Sequence, residues 1–365
     1  MDPTTRRSSG VIRRELHASA EPMQVIRVAP ARNSIPLGMR PIILNGHERP
    51  ITRITFNRDG DLIFTAAKNS VANVWFSANG ERLGSYNGHD GVIWWIDVDY
   101  STTNLLTASG DYHCKLWDVE TGNQLADYEA NAPVRACGIS LCSNLLFLTT
   151  DETFFDNKNK KSELIVIDKR DPTHFSGNSQ VLRTSSADQT KVTGAIWGPL
   201  NKTIICGHES GAVTMIDARS GQVLQQCKPH KGPVTDMQMR LHIPMFITSS
   251  KDHTAQLFSA YDLSSIRTYT AERPINSAAI SPTRDHVLLG GGQEAHEVTT
   301  TAVGQGKFDA RFYHLIYQEE FGRAKGHFGP INSVAFNSDG SGFATGGEEG
   351  YVRLHTFDPD YANLD

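Results

Sequence analysis

Residues 88–118 read Gly-His-Asp-Gly-Val-Ile-Trp-Trp-Ile-Asp-Val-Asp-Tyr-Ser-Thr-Thr-Asn-Leu-Leu-Thr-Ala-Ser-Gly-Asp-Tyr-His-Cys-Lys-Leu-Trp-Asp. Apolar residues fall four, seven and nine positions after His89, at Ile93, Ile96 and Val98. Asp111 follows at twenty-two and Trp117 at twenty-eight, where it closes the alternation Cys114-Lys115-Leu116-Trp117-Asp118. The same frame recurs from His47 (Ile51, Ile54, Phe56, Asn69, Trp75), from His230 (Val234, Met237, Met239, Asp252, Phe258) and from His327 (Ile331, Val334, Phe336, Glu349, His355). The apolar offsets return without the His at Val134, Cys137, Ile139, at Val192, Ala195, Trp197 and at Ile275, Ala278, Ile280. That makes seven copies. Alternating apolar runs predict short strands, and Asp59-Gly60 and Asp339-Gly340 sit where a hairpin needs its turn.

A fixed period of this length marks a repeat architecture, in which each copy buries its face only against its neighbours. The Gly-His opening and Trp-Asp ending resemble the WD40 repeat over the chain from Met39 to about Phe357. The fold predicted is all-β: a seven-bladed WD40 β-propeller over 39–365, with a basic, disordered N-terminal extension over 1–38. Each copy reads as four antiparallel strands. Ile167 falls 37 positions after Ala130 in copy three and Tyr313 42 after Ala271 in copy six, where the other copies have 28. Both additions fall between the second and third strands, so both loops are expected on the face that carries the Gly-His turns. Pro41-Ile42-Ile43-Leu44 precedes the first Gly-His with no blade of its own, and is expected to supply the outer strand of blade seven.

Composition agrees with many short, turn-rich elements. The chain has 365 residues, 39% hydrophobic and 21% charged, with 31 Gly and a net charge of -5. Residues 1–38 hold six Arg (Arg6, Arg7, Arg13, Arg14, Arg27, Arg32) and three acids (Asp2, Glu15, Glu21), so 29 basic and 37 acidic residues leave the body at -8. An acidic body disfavours direct binding of nucleic acid. No apolar run reaches the 18 or more residues of a membrane span, and the leader lacks the apolar segment of a secretory signal. Its Arg and Ser give a faint transit-peptide flavour, which Glu15, Glu21 and the prolines at 22, 30 and 36 counter. Met39 is a candidate alternative start. Cys114, Cys137, Cys142, Cys206 and Cys227 lack CxxC or metal spacing, so reduced thiols in a cytoplasmic protein are expected, and the sequon at Asn201 carries no weight.

Candidate chemistry mostly dissolves on inspection. His89, Ser109 and Asp111 have the composition of a nucleophilic triad. The WD40 resemblance implies instead that His89, Ser109, Asp111 and Trp117 form a structural hydrogen-bonded tetrad. Gly304-Gln305-Gly306-Lys307 fails the phosphate-loop pattern, with Thr301 and Phe308 at the deciding positions, and Gly290-Gly291-Gly292 opens no helix. His208-Glu209 and His47-Glu48 lack the second His that zinc needs. Arg311-Phe312-Tyr313-His314 has the interleaving of an RNA-stacking strand, but its place on a third strand favours core packing. No catalytic residue, cofactor, metal or small-molecule substrate is expected.

Individual segments narrow the resemblance further. Met39-Arg-Pro-Ile-Ile-Leu-Asn-Gly-His, Ala195-Ile-Trp-Gly-Pro-Leu, Gly207-His-Glu-Ser-Gly, Glu272-Arg-Pro-Ile-Asn-Ser and Glu320-Phe-Gly-Arg-Ala-Lys-Gly-His-Phe-Gly-Pro-Ile-Asn-Ser-Val-Ala-Phe are similar to the family of subunit i of eukaryotic translation initiation factor 3. That resemblance implies a non-catalytic scaffold of a complex on the small ribosomal subunit, binding a helical segment of subunit b and a segment of subunit g. An acidic body suits such partners. Exposed loops of blades five to seven are the expected contacts, with Asp262, Glu272, Arg273, Gln293 and Glu294 as candidate residues. A signalling adaptor docking a receptor or kinase tail and an enzyme are the competing classes.

Overall fold

The computed structural model describes residues 40–155, 158–176, 180–185, 190–240, 242–292 and 308–363. The 1–38 extension, Gln293, Glu294 and the 304–307 run lie outside these residues. Among the described residues the strands make seven four-stranded antiparallel sheets and one two-stranded sheet. Each four-stranded sheet is one blade of a propeller. Blade two is typical, with strands Ile93–Val98, Asn104–Ser109, His113–Asp118 and Gln124–Glu129 running from the innermost to the outer edge.

The odd spacing of the sequence repeat has a structural cause. In the first strand pair of every blade the register shifts by one residue, between Ile51 and Arg53, Ile93 and Trp95, Val134 and Ala136, and at the same place in the other four. A bulge absorbs one residue and bends the strand. Apolar residues three apart, such as Ile93 and Ile96, therefore point to the same side although a regular strand alternates with period two. Both are buried with Phe64, Tyr86, Leu105 and Trp117 in the layer that joins blade one to blade two. Buried side chains of this size contribute about 1.5–3 kcal/mol each. The core thus lies between adjacent sheets.

The ring closes by strand exchange. Ile42–Asn45 pairs antiparallel with Tyr351–Thr356, Ile42 opposite Leu354 and Asn45 opposite Tyr351, and completes blade seven. Leu44 there packs with Ile51, Ile54, Ala344 and Val352, which ties the last blade to the first. The Gly of the Gly-His turn is required on the same ground: a Cβ at Gly88, whose φ is +151°, would stand 3.1 Å from the Trp117 ring.

Turns alternate between two faces. Links between blades and turns between second and third strands share the face that carries the histidines; the remaining turns share the opposite face. The insertion of blade three, with its hairpin Thr153–Phe155 and Lys158–Lys160, leaves from Thr150, which pairs with Val134 beside the inter-blade link, and so emerges on the histidine face. The blade-six insertion leaves from Gly292, whose N–H donates to Pro274 O in the preceding link, on that face as well.

Candidate functional site

The polar groups predicted as a tetrad form a buried chain with one change of member. His89 Nδ1 donates to Asp111 Oδ2 at 2.7 Å, and its Nε2 lies 2.7 Å from Thr107 Oγ1, which also accepts the Trp117 indole N–H at 2.9 Å. The bridging hydroxyl belongs to Thr107 and not to Ser109. Ser109, fully buried at the strand end, instead accepts the Asp111 backbone N–H at 3.3 Å. The sequence reading is corrected there. Residues 107 and 109 share a strand face, but only the inner one is deep enough to meet the indole. Thr65, Thr248 and Thr345 take the same place beside His47, His230 and His327. A Thr eighteen residues after each His was the overlooked signal.

The chain fixes turns to strands. Burial works against ionisation of Asp111, but the bond from His89 and the backbone N–H groups of His113 and Asp90 outweigh it, holding the carboxyl well below the usual range. Thr107 and Ser109 have no exposed surface. Arg311, Phe312 and Tyr313 are likewise buried on their strand, in packing positions.

Of the candidate partner residues, the described ones, Asp262, Glu272 and Arg273, do not form one patch. Asp262 lies in the turn between Thr254–Ser259 and Ser265–Thr270, on the face opposite the histidines. Its exposed carboxylate accepts the Ser264 N–H and Oγ–H, and bonds from the Ser259 and Ser264 hydroxyls lower its pKa. Glu272 and Arg273 lie in the link from Ser265–Thr270 to Ile275–Ile280, on the histidine face. The Arg311 guanidinium donates to Glu272 Oε2 at 3.0 Å. No single flat partner covers both positions.

Near Asp262 the structure adds residues that sequence reasoning missed. Tyr261 is 66% exposed, and Ile316 and Tyr317 in the equivalent turn of blade six are 45% and 66% exposed. Arg267 Nε donates to Ile316 O at 3.1 Å and the Tyr269 hydroxyl to Leu315 O at 2.8 Å, which fixes the two turns side by side. The available signal was turn chemistry. The same turn reads Ser-Ala-Asn-Gly at 77–80 in blade one, but Ala-Tyr-Asp-Leu at 260–263 and Leu-Ile-Tyr-Gln at 315–318 here.

Among the described residues no helix is long and apolar enough to cross a membrane. A family model described as EIF3I matches residues 39–365. Eukaryotic translation initiation factor 3 subunit I of Xenopus tropicalis is 50% identical over 327 residues, covering 90% of this chain and 99% of that protein. The Homo sapiens protein of the same name is 50% identical over 323 residues, covering 88% and 98%. With a seven-bladed propeller and matches of this extent, the chain belongs to the family of eukaryotic translation initiation factor 3 subunit I.

Proposed function

We propose that this chain is a non-catalytic scaffold subunit of translation initiation factor 3 in the cytoplasm, where its propeller holds segments of subunits b and g and so supports initiation on the small ribosomal subunit. The observation that carries the reading is the exposed apolar pair of turns in blades five and six. Tyr261, Ile316 and Tyr317 offer a helical segment the stripe of apolar surface it needs, and Asp262 beside them offers a carboxylate for a basic side chain. Aromatic side chains on rigid turns lose little entropy on contact, so a preorganised surface orders a flexible partner at low cost. Glu272 and Arg273 on the other face serve a second, more polar segment.

Affinity capture of the native protein followed by mass spectrometry tests the reading. Subunits b and g are expected in stoichiometric amounts. Tyr261→Ser combined with Tyr317→Ser should lose b while the melting temperature holds, and Glu272→Lys with Arg273→Glu should weaken the second partner only. Capture of a receptor or kinase complex without other factor subunits would replace this function with the adaptor reading.

A further inference from the structure

A cavity of about 570 Å³ opens along the propeller axis on the face opposite the histidines. That size falls among small-ligand and side-chain pockets. Its wall is largely apolar, with Trp95, Ile139, Trp197, Met237 and Met239 contributing. The turns at its mouth are unusual in half of the ring. Blades one and seven carry polar tips, Arg58-Asp59-Gly60 and Ser338-Asp339-Gly340, whereas Tyr100, Leu141, Leu200 and Ile243 in blades two to five are 40%, 59%, 71% and 39% exposed. Leu200 is held at φ +57°, a region costly for a residue with a Cβ. The Leu141 N–H donates to Asn201 Oδ1 at 2.9 Å, which pins these two leucine-bearing turns together. A folded turn that keeps a leucine exposed in a strained conformation keeps it for contact.

One carboxylate in the wall lacks an ion-pair partner, while the cation Arg58 at the mouth stacks over the Tyr100 ring at 4.1 Å. The Arg53 guanidinium bonds to Asp236 across the axis and stacks over the Trp95 ring at 3.8 Å. Asp236 also accepts from Ser277 and Gln238, so both of its oxygens are engaged. Arg240 reaches Asp285 at 3.3 Å, and Asp99 is consumed by Ser101, Thr103 and Asn104 of its own turn. Asp97 accepts only the backbone N–H groups of Ile139 at 2.8 Å and Val98 at 3.1 Å, and makes no ion pair among the described residues. A carboxylate in an apolar wall gains from an incoming cation what it lost in hydration.

We propose that the axial cavity binds an extended peptide segment presenting a basic side chain between apolar ones. The basic head meets Asp97 beside the wall indole of Trp197, and the apolar neighbours seat on Tyr100, Leu141, Leu200 and Ile243. The net charge of -8 on the body favours the approach of such a segment. This site lies at the axis, apart from the Tyr261–Tyr317 turns at the rim, and does not depend on the function proposed above.

The site has a pH signature. Burial pushes the Asp97 carboxyl up to about 6, opposed by its N–H bond from Ile139 and by Arg53. The other charged or titratable groups around it are Asp99 on its own blade, the Cys137 thiol, which burial pushes up and keeps neutral, Asp236 across the axis on Arg53, and Arg58, Arg240 and His242 at the mouth. A cation binds the ionised carboxylate, so affinity is greatest above about pH 7 and falls as Asp97 takes up a proton near pH 6.

Titration of the full chain with acetyl-Phe-Arg-Leu-amide, and with its Gln and Glu analogues, tests the proposal by tryptophan fluorescence and calorimetry. The Arg peptide should bind about tenfold or more tightly than the Gln analogue at pH 7.5, with the advantage gone by pH 5. Asp97→Asn, which keeps an acceptor for the Ile139 N–H, should bring the two peptides within about twofold and remove the pH dependence. Leu200→Ser should weaken both peptides alike, and Tyr317→Ser should change neither, which separates this site from the rim. Equal binding of Arg and Gln peptides, a preference surviving in Asp97→Asn, or no binding of any peptide at millimolar concentration would overturn it. Should Asp97→Asn melt early, the wild-type pH profile and Leu200→Ser decide alone.

Discussion

Blades two and six have the same four strands and close by different means. In blade two a chain of His89, Thr107 and Trp117, anchored on Asp111, runs inside the sheet. In blade six the corresponding residues are Ala271, Leu289 and Tyr313, and no such chain is found among the described residues. Arg311 there reaches Glu272 at 3.0 Å and Glu320 at 3.6 Å, and the Tyr313 hydroxyl donates to Thr270 O. A strap from the C-terminal turn Pro359–Asn363 completes the closure: the Tyr361 hydroxyl donates to His286 Nδ1 at 2.6 Å, with its ring stacked 3.6 Å from that of Phe357. One blade is closed locally from within. The other is closed by surface pairs and a distant segment, which leaves it the more open to partners.

The largest effect should come from the internal chain. Thr107→Val keeps the shape but leaves the Trp117 N–H and His89 Nε2 buried without their partner. Each such group costs about 1–3 kcal/mol, so a loss of roughly 2–4 kcal/mol is expected by denaturant unfolding. Ser109→Ala, which forfeits one 3.3 Å contact to a backbone N–H, should cost under about 1 kcal/mol. Equal losses at the two sites would undo the assignment of the bridging role to Thr107.

What was legible in the sequence follows the same division. Features set by residues close in the chain repeat visibly, so Ile51, Ile93, Ile331 and their kin announce seven blades, and a bulge in each blade accounts for their spacing. The closing strand at Ile42–Asn45 was legible because an apolar run lacked a blade. Ser109 was mistaken for Thr107 because spacing gives a strand face and not a depth. The division of Asp262 from Glu272 follows from the alternation of turns between faces, which a count of blades leaves out. The Tyr361–His286 contact joins residues 75 apart with no repeat to betray it.

The strap gives the next two effects. Burial lowers the pKa of His286 to about 4, as it does for His47 and His355. The folded protein keeps these rings neutral while the unfolded chain takes up protons below about pH 6.5, so stability is full above that pH and is lost on acidification toward 4. For His286 the loss should reach about 1–3 kcal/mol, seen in melts between pH 7.5 and 4.5, and His286→Gln should flatten that part of the curve. At pH 7.5 Tyr361→Phe keeps the stacked ring and removes the hydroxyl, for an expected cost of about 1–2 kcal/mol. A blade six that depended on its strap no more than blade two does would show no change in either experiment.

The smallest effect tests whether the surface pairs of blade six bear weight at all. Glu272 is 68% exposed at its side chain, so its ion pair with the buried Arg311 is screened on one side by water. Pairs of that kind contribute between nothing and about 1 kcal/mol. Arg311 also keeps Glu320, so Glu272→Gln leaves its charge compensated. The expected loss is under about 0.5 kcal/mol, and it should shrink further in high salt. A loss above about 1 kcal/mol would make Glu272 a closing element of the blade, equivalent in role to Asp111 in blade two, and its exposed carboxylate would then be held by the fold and not available for a partner.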